Sequence, residues 1–228
     1  MKTFITIFLS LLLIASFSFS TGCKKAEKPT ELPKPAEAPK PAEKVASIEE
    51  KSADYHFQKA HEFFLKKEMK SAAFEIRKGA DFLKKETENS TQEGKKVLTA
   101  SIQELEKLAN NVEKGTVKSE KELKDAFSRA ENALARHQYL KASESWVKKE
   151  TKNTGNALKD AAQHLKQAAK WSGHKFEAGA AEVIKGALTA ADKLIEGAKW
   201  TAEEVGKGIK DIGNEISKLG EKIKPKKK

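Results

Sequence analysis

The side chains best suited to chemistry in this sequence are five histidines and a single cysteine. His56 and His61 are five residues apart, whereas two histidines that bind one metal ion from a helix are spaced by four. His137 falls in a predicted turn, and His164 and His174 are distant from it in the sequence. No zinc-binding or nucleophile motif accompanies any of the five, so we expect solvated or partly packed histidines.

Other signatures of catalysis are missing from the sequence as well. It has no glycine-rich phosphate loop, no nucleophile elbow and no Ser–His–acid arrangement in a recognisable context. Acid pairs such as Glu49–Glu50 and Glu203–Glu204 are typical of solvated helix faces. Aromatic residues make up 7% of the chain, which disfavours base-stacking nucleic-acid modules. We therefore expect a non-enzymatic protein with no catalytic residue, cofactor, metal ion or small-molecule substrate.

The N-terminal segment, residues 1–22, has the three parts of a secretory signal: Lys2, an apolar run and then small residues that lead to Cys23. The apolar run is shorter than the about 20 residues of a permanent membrane span. The sequence Phe-Ser-Thr-Gly-Cys at residues 19–23 resembles the lipobox of bacterial lipoproteins. The resemblance implies cleavage before Cys23 and acylation of that cysteine, whereas an ordinary signal peptide cut elsewhere is the alternative.

The lipoprotein resemblance also implies a location. The protein would be exported to the cell envelope and held on a membrane by the acyl chains of Cys23, and such attachment needs at least two chains. Lys24 replaces the aspartate that commonly marks retention in the inner membrane. The resemblance therefore favours an outer-membrane position facing the periplasm, if the host has two membranes.

Residues 23–46 form a proline- and lysine-rich linker. Five of the six prolines lie there, together with six lysines and four glutamates. Proline removes backbone donors and favours extended geometry of about 3.1 Å per residue. We expect a disordered spacer that holds the following domain away from the lipid surface.

The body of the chain is predicted to be all-α, because apolar residues recur at steps of three and four and no proline occurs between Pro41 and Pro225. One apolar stripe recurs 70 residues later with the same spacing: Ala53, Phe57, Ala60 and Phe64, then Leu123, Phe127, Ala130 and Leu134. The pattern predicts two related three-helix units, residues 47–115 and 116–173. Turn-forming residues predict breaks at residues 89–90, 115–116, 153–155 and 172–173.

Small and bulky residues within each unit resemble the tetratricopeptide helical hairpin. The matching positions are Ala60, Phe63, Ala72 and Ile76 in the first unit, and Ala130, Ala133, Ala142 and Trp146 in the second. The paired arrangement also resembles the YfdX family of bacterial helical proteins. Both resemblances imply helix-pair architecture and assign no function.

The C-terminal region, residues 174–223, carries an apolar stripe without polar interruption, which predicts one long amphipathic helix followed by a basic tail at 224–228. The stripe is formed by Ala181, Ile184, Leu188, Ala191, Ile195, Ala198, Ala202, Val205, Ile209, Ile212, Ile216, Leu219 and Ile223. Gly206, Gly213 and Gly220 lie on one flank, where missing side chains permit close approach of another helix or a lipid surface.

Three surfaces could cover this C-terminal stripe: the protein's own body, a second copy of the chain, or a membrane. We select as interaction residues Ile195, Val205, Ile209, Ile212, Ile216, Leu219, Ile223 and, opposite the stripe, Trp200. The leading interpretation is a scaffold module that docks a protein partner or a second copy through this helix. The alternative is a membrane-active or envelope-stress protein whose C-terminal helix folds on anionic lipid.

The net charge of +11 does not point to nucleic acid. Much of the excess of lysine lies in the linker and the C-terminal tail, and the chain contains three arginines among 44 basic residues. A nucleic-acid reader would concentrate lysine and arginine on one folded face. The basic ends favour anionic envelope surfaces instead, with an attraction that salt should weaken.

Overall fold

The computed structural model describes residues 52–225 and contains, in that range, seven α-helices and no strand. The helices are α1 Ala53–Leu65, α2 Met69–Glu88, α3 Gln92–Glu113, α4 Glu120–Val147, α5 Thr151–Ser172, α6 Ala180–Glu196 and α7 Ala202–Lys222. The prediction of an all-α fold is confirmed. The signal segment 1–22, Cys23, the linker 23–46 and the last three residues of the tail lie outside the described residues.

Four of the helices begin at a serine or threonine that caps them. In each, the side-chain oxygen of the capping residue accepts a hydrogen bond from the backbone N–H three residues later. The caps are Ser52 of α1, Thr91 of α3, Ser119 of α4 and Thr201 of α7. Each cap satisfies one of the N–H groups that a helix N-terminus leaves without a partner.

The helices pack as two four-helix bundles that share α4. In the first bundle, α1, α2 and α3 pack in sequence and α4 closes the bundle against α1. In the second, α4, α5 and α6 pack in sequence and α7 closes the bundle against α4. The two apolar cores divide along α4, since Leu134 belongs to the first core and Ala135 to the second. With 28 residues, α4 is about 42 Å long, enough to serve both bundles.

Equivalent features of the two bundles are 82 residues apart, and not 70 as the sequence suggested. Ser119 and Thr201 are equivalent caps, and Lys67 and Lys149 are equivalent turn residues with φ of 66° and 61°. The turns themselves read Phe-Leu-Lys-Lys-Glu at 64–68 and Trp-Val-Lys-Lys-Glu at 146–150. The displacement of 70 was wrong because an apolar spacing of 4-3-4 matches any helix of a bundle, whereas turn residues mark one position.

This register also corrects the predicted units. The breaks at 89–90, 115–116 and 172–173 are confirmed, but residues 153–155 lie inside α5, and His137 lies inside α4 instead of a turn. The second set of hairpin positions, Ala130, Ala133, Ala142 and Trp146, lies on the single helix α4, so it forms no hairpin. The predicted division into two three-helix units at residues 115/116 is therefore wrong. The structure has two four-helix bundles that meet within α4.

The single helix predicted over residues 174–223 is two helices, α6 and α7. Gly197 caps α6 with a left-handed φ of 70°, and Thr201 caps α7 by accepting a hydrogen bond from Glu204 N. The apolar spacing continues across the break because both helices present their stripes to the same core. Thr201 and Glu204 have the spacing of a capping box, which is the sequence signal for the break.

Gly197→Ala should lower the free energy of unfolding by about 1 kcal/mol, because the left-handed region is unfavourable for a residue with a Cβ. It should not join α6 and α7, since their opposite packing directions are fixed by the core. Urea denaturation gives the loss, and circular dichroism gives the helix content. A gain in helical signal together with unchanged stability would contradict this interpretation of the break.

Candidate functional site

The apolar stripe proposed for docking is largely buried inside the protein. Val205, Ile209, Ile212, Ile216, Leu219 and Ile223 all belong to the core of the second bundle. Of the three surfaces that the sequence left open, the protein's own body therefore covers these residues. They are not free to dock a partner or lipid in this structure.

The remaining predicted interaction residues are partly buried. Trp200 packs edge-on against Trp146 of α4, with ring centroids 5.6 Å apart. Ile195 lies against α5 at Gly155. The predicted close approach at the glycine flank is confirmed at two positions, where a Cβ on Gly213 would lie 2.6 Å from the Tyr139 ring and one on Gly220 would lie 3.0 Å from Asn132 Nδ2. The helix that approaches α7 is α4 of the same chain.

A layer of buried and partly buried polar side chains lies where the two cores meet. We call this set the polar layer: Glu86 of α2; Glu131, His137 and Gln138 of α4; and His164 of α5. Nδ1 of His164 lies 2.7 Å from Oε2 of Glu131, whose side chain is fully buried. Nε2 of His137 lies 3.3 Å from Oε2 of Glu86. The same carboxylate oxygen accepts a hydrogen bond from Gln138 Nε2 at 3.1 Å.

The charges of the polar layer depend on one another. Burial raises the pKa of Glu131, and the nearby charge of His164 offsets only part of that effect. Burial by itself would lower the pKa of His164, but the carboxylates of Glu131, Asp160 and Glu86 outweigh it and the pKa is raised. The interaction with His137 lowers the pKa of Glu86. The layer thus holds protons more tightly at its Glu131–His164 pair than free side chains do.

Several atoms of the polar layer have no hydrogen-bond partner among residues 52–225. They are Oε1 of Glu131, Nδ1 and Nε2 of His137, and Oε1 of Gln138. A buried polar atom without a partner costs about 1–3 kcal/mol, and natural proteins contain few of them. The junction of the bundles is therefore not optimised for stability alone, which makes it a candidate functional site.

A pocket of about 590 Å³ opens beside the polar layer, and we call it the junction pocket. It lies between the α2–α3 loop, α4 and the N-terminal half of α5. The lining residues are Asn89, Ser90, Thr91, Gln138, Lys141, Glu144, Ser145, Lys148, Glu150, Asn153, Asn156, Ala157 and Asp160. Of these, Ala157 alone has an apolar side chain. Gln138 belongs to both the polar layer and the pocket, so it connects the two.

A second concave surface lies along the C-terminal end of α5 and encloses about 870 Å³. We call it the basic groove, and its lining residues are Gln163, Lys166, Gln167, Ala169, Lys170, Gly173, His174, Lys175 and Phe176. The lining contains no acid. Lys166, Lys170 and Lys175 form no ion pair with any residue in the range 52–225, and the adjacent acid, Glu177, pairs with Lys222 at 2.6 Å.

Both ends of the described chain leave the body beside the basic groove. At the N-terminal end, Asp54 Oδ1 accepts a hydrogen bond of 2.8 Å from Nε1 of Trp171, which follows Lys170. At the C-terminal end, Lys222 binds Glu177, which follows Phe176. Residues 24–51, which precede the N-terminal end, contain seven lysines and six glutamates, whereas the three residues that follow residue 225 are all lysines. The basic groove therefore lies between the two points where the chain leaves the body, and the segment that leaves at the C-terminal end is itself basic.

Comparison of this chain with protein-family models, curated proteins and solved structures gives no match. Within residues 52–225, no helix has both the length and the apolar character needed to cross a bilayer. In the same range, no three His, Cys, Asp or Glu side chains are grouped so that they could hold a metal ion.

Sequence reasoning missed the polar layer and both concave surfaces. It treated the histidines as isolated, whereas His56 pairs with Glu75, His61 with Glu120 and His164 with Glu131. One signal was present: Glu131 lies four residues after Phe127 and three before Leu134, on the face of α4 that the stripe places in the core. An acid at such a position predicts a buried carboxylate with a partner.

Proposed function

We propose that this protein is an exported, lipid-anchored and non-enzymatic interaction module of the cell envelope, whose body lies against its own anionic membrane through the basic groove. The anchor is the acylated Cys23 that the lipobox resemblance implies, with the linker as a spacer. The observation that carries the proposal is the acid-free groove of Lys166, Lys170 and Lys175 between the two points where the chain leaves the body.

The electrostatics of the basic groove favour an anionic surface. A lysine near an anionic membrane contributes about 1 kcal/mol of attraction at low salt, and this attraction decays within a Debye length. Lysines near a helix C-terminus are also attracted by the helix dipole. Lys175 and His174 lie beyond the end of α5, so this attraction engages them less. A bound body would leave its other faces available to a protein partner.

The competing proposal of a C-terminal helix that folds on lipid has less support. The apolar face of α7 is buried against α4, α5 and α6, so insertion would require α7 to leave the second bundle. Self-association through the same face would require the same opening. We therefore propose a membrane contact made by charge on the folded body.

We expect the chain from residue 24 onward, which lacks the acyl anchor, to bind vesicles of phosphatidylglycerol and phosphatidylcholine but not vesicles of phosphatidylcholine alone. The triple substitution Lys166→Ser, Lys170→Ser and Lys175→Ser should weaken binding by roughly tenfold to a hundredfold at low salt. Co-sedimentation with the vesicles measures the affinity.

The matched control for this experiment replaces Lys95, Lys96 and Lys107 of α3 with serine. These side chains are exposed, and the control has the same net charge as the groove variant. If the two triple variants lose affinity equally, overall charge explains the binding and the basic groove is not the contact surface.

A further inference from the structure

We propose that the junction pocket binds a small zwitterion, an α-amino acid or short peptide that carries both an ammonium and a carboxylate group. The pocket volume of about 590 Å³ falls within the range of about 300–1,000 Å³ typical of ligand sites. This proposal does not depend on the membrane contact, because the pocket and the basic groove have no lining residue in common.

The acceptor side of the junction pocket is formed by Gln138 and Asp160. Gln138 is 6% exposed, its Nε2 is held by Glu86, and its Oε1, a buried atom, has no hydrogen-bond partner among the described residues. The half-buried carboxylate of Asp160 likewise has no hydrogen bond or ion pair within residues 52–225, and burial raises its pKa. Two unpaired acceptors on neighbouring helices suit a ligand with several N–H donors, and an ammonium group has three.

The donor side of the junction pocket is formed by Lys141 together with the amides of Asn89 and Asn156. Lys141 makes no ion pair in the described part of the chain, although its charge lowers the pKa of Glu86 and acts in the same direction on Asp160. An ammonium and two amides suit a carboxylate.

The other charged groups of the pocket are already engaged. Lys148 binds Glu144 at 2.7 Å, and Asn153 donates to Glu150 at 3.1 Å. The unpaired groups of opposite character that remain in the lining are therefore a carboxylate and a carboxamide oxygen, and an ammonium group with two amides. This complementary pattern identifies a ligand with one positive and one negative end.

The pocket walls also restrict the rest of the ligand. No aromatic ring lines the junction pocket, so it offers no stacking surface for a nucleobase. Ala157 is the single apolar lining residue, which favours a small or polar side chain. Inorganic phosphate fits less well than a zwitterion, because Asp160 would face its negative charge.

The test is calorimetric titration of the full chain, purified in detergent, with the twenty common α-amino acids and the dipeptide glycylserine. We expect saturable binding of at least one of them. For the best binder, the analogues without the amine or without the carboxylate should bind at least about tenfold more weakly; for L-serine these are glycerate and ethanolamine. The absence of saturable binding, equal binding of either analogue, or tighter binding of inorganic phosphate would overturn the proposal.

Two substitutions in the lining test whether the ligand binds in the junction pocket. Asp160→Asn and Lys141→Met should each weaken binding at least about tenfold while circular dichroism and thermal denaturation show a folded protein. The matched controls Asp125→Asn and Lys124→Met make the same charge changes on α4 outside the pocket, and should bind as the unchanged protein does. Binding that survives both pocket variants would show that the zwitterion, if bound, occupies another site.

Discussion

His164→Leu is expected to lower the free energy of unfolding by about 3 kcal/mol at about pH 7.5, the largest loss we predict for a single substitution. Glu131 is fully buried, and His164 is the one cation that its side chain contacts among the described residues. Without His164, the protein must either bury an unpaired carboxylate or protonate it at a free-energy cost. Urea denaturation at several pH values measures the effect.

The loss caused by His164→Leu should shrink toward about pH 5. Burial holds the pKa of Glu131 above its ordinary value, so acid converts the unpaired carboxylate to a neutral group that a core tolerates better. The double variant Glu131→Leu with His164→Leu should cost less than the sum of the two single variants by about 1–3 kcal/mol, because neither partner is then left alone. A pH-independent loss, or strict additivity, would show that the pair does not interact as described.

The same pair determines how the unchanged protein responds to pH. The pKa values of His164 and Glu131 are both raised on folding, so the stability they contribute is fully present below their unfolded values, about 6.5 and 4.3, and is lost as pH rises through the folded values. Glu86 has a lowered pKa and therefore loses its contribution as pH falls. We expect greatest stability in mild acid and a decline toward about pH 8, which the double variant should flatten.

Gly155→Ala should destabilise the protein by about 1–3 kcal/mol, the second large effect. A Cβ at this position would lie 2.9 Å from Ala191 O, Ile195 Cγ1 and Leu194 Cβ. Because one of these atoms belongs to the backbone of α6, that helix would have to move away from α5. This cost should exceed the gain of about 1 kcal/mol that alanine brings to a helix interior. Urea denaturation measures the loss as a lower midpoint.

Gly186→Ala is the matched control for this substitution. Gly186 also lies in a helix interior, but no atom lies within 4 Å of the position its Cβ would take. The substitution should therefore raise stability by about 0.5–1 kcal/mol. If both variants shift the urea midpoint in the same direction, helix propensity dominates and α5 and α6 are not in the tight contact described.

The helical class could be predicted from the sequence because apolar spacing reports which face of a segment is buried. The spacing does not show which helix a face packs against. The sequence therefore could not distinguish packing of the α7 stripe against α4 from docking of a partner. Turn positions were harder to predict. Lys67 and Lys149 adopt a left-handed conformation that usually favours glycine, and nothing in a Lys-Lys-Glu sequence marks it.

The candidate sites depend on contacts between residues far apart in the sequence. Glu131 and His164 are 33 residues apart, and Asp54 and Trp171 are 117 apart. Apolar periodicity places such residues on helices but does not bring specific polar atoms together. The signal that sequence reasoning could have used was local: a charged residue, Glu131, on the buried face of an apolar stripe.

The sharing of α4 by both bundles has a consequence for ligand exchange. Many binding proteins admit ligands by rotating two domains about a hinge formed by a few loop residues. Here the backbone passes from one core to the other within a continuous helix, at Leu134 and Ala135, so a comparable rotation would have to break helical hydrogen bonds. A molecule bound beside α4 would therefore enter and leave through the open side of its pocket, without domain closure.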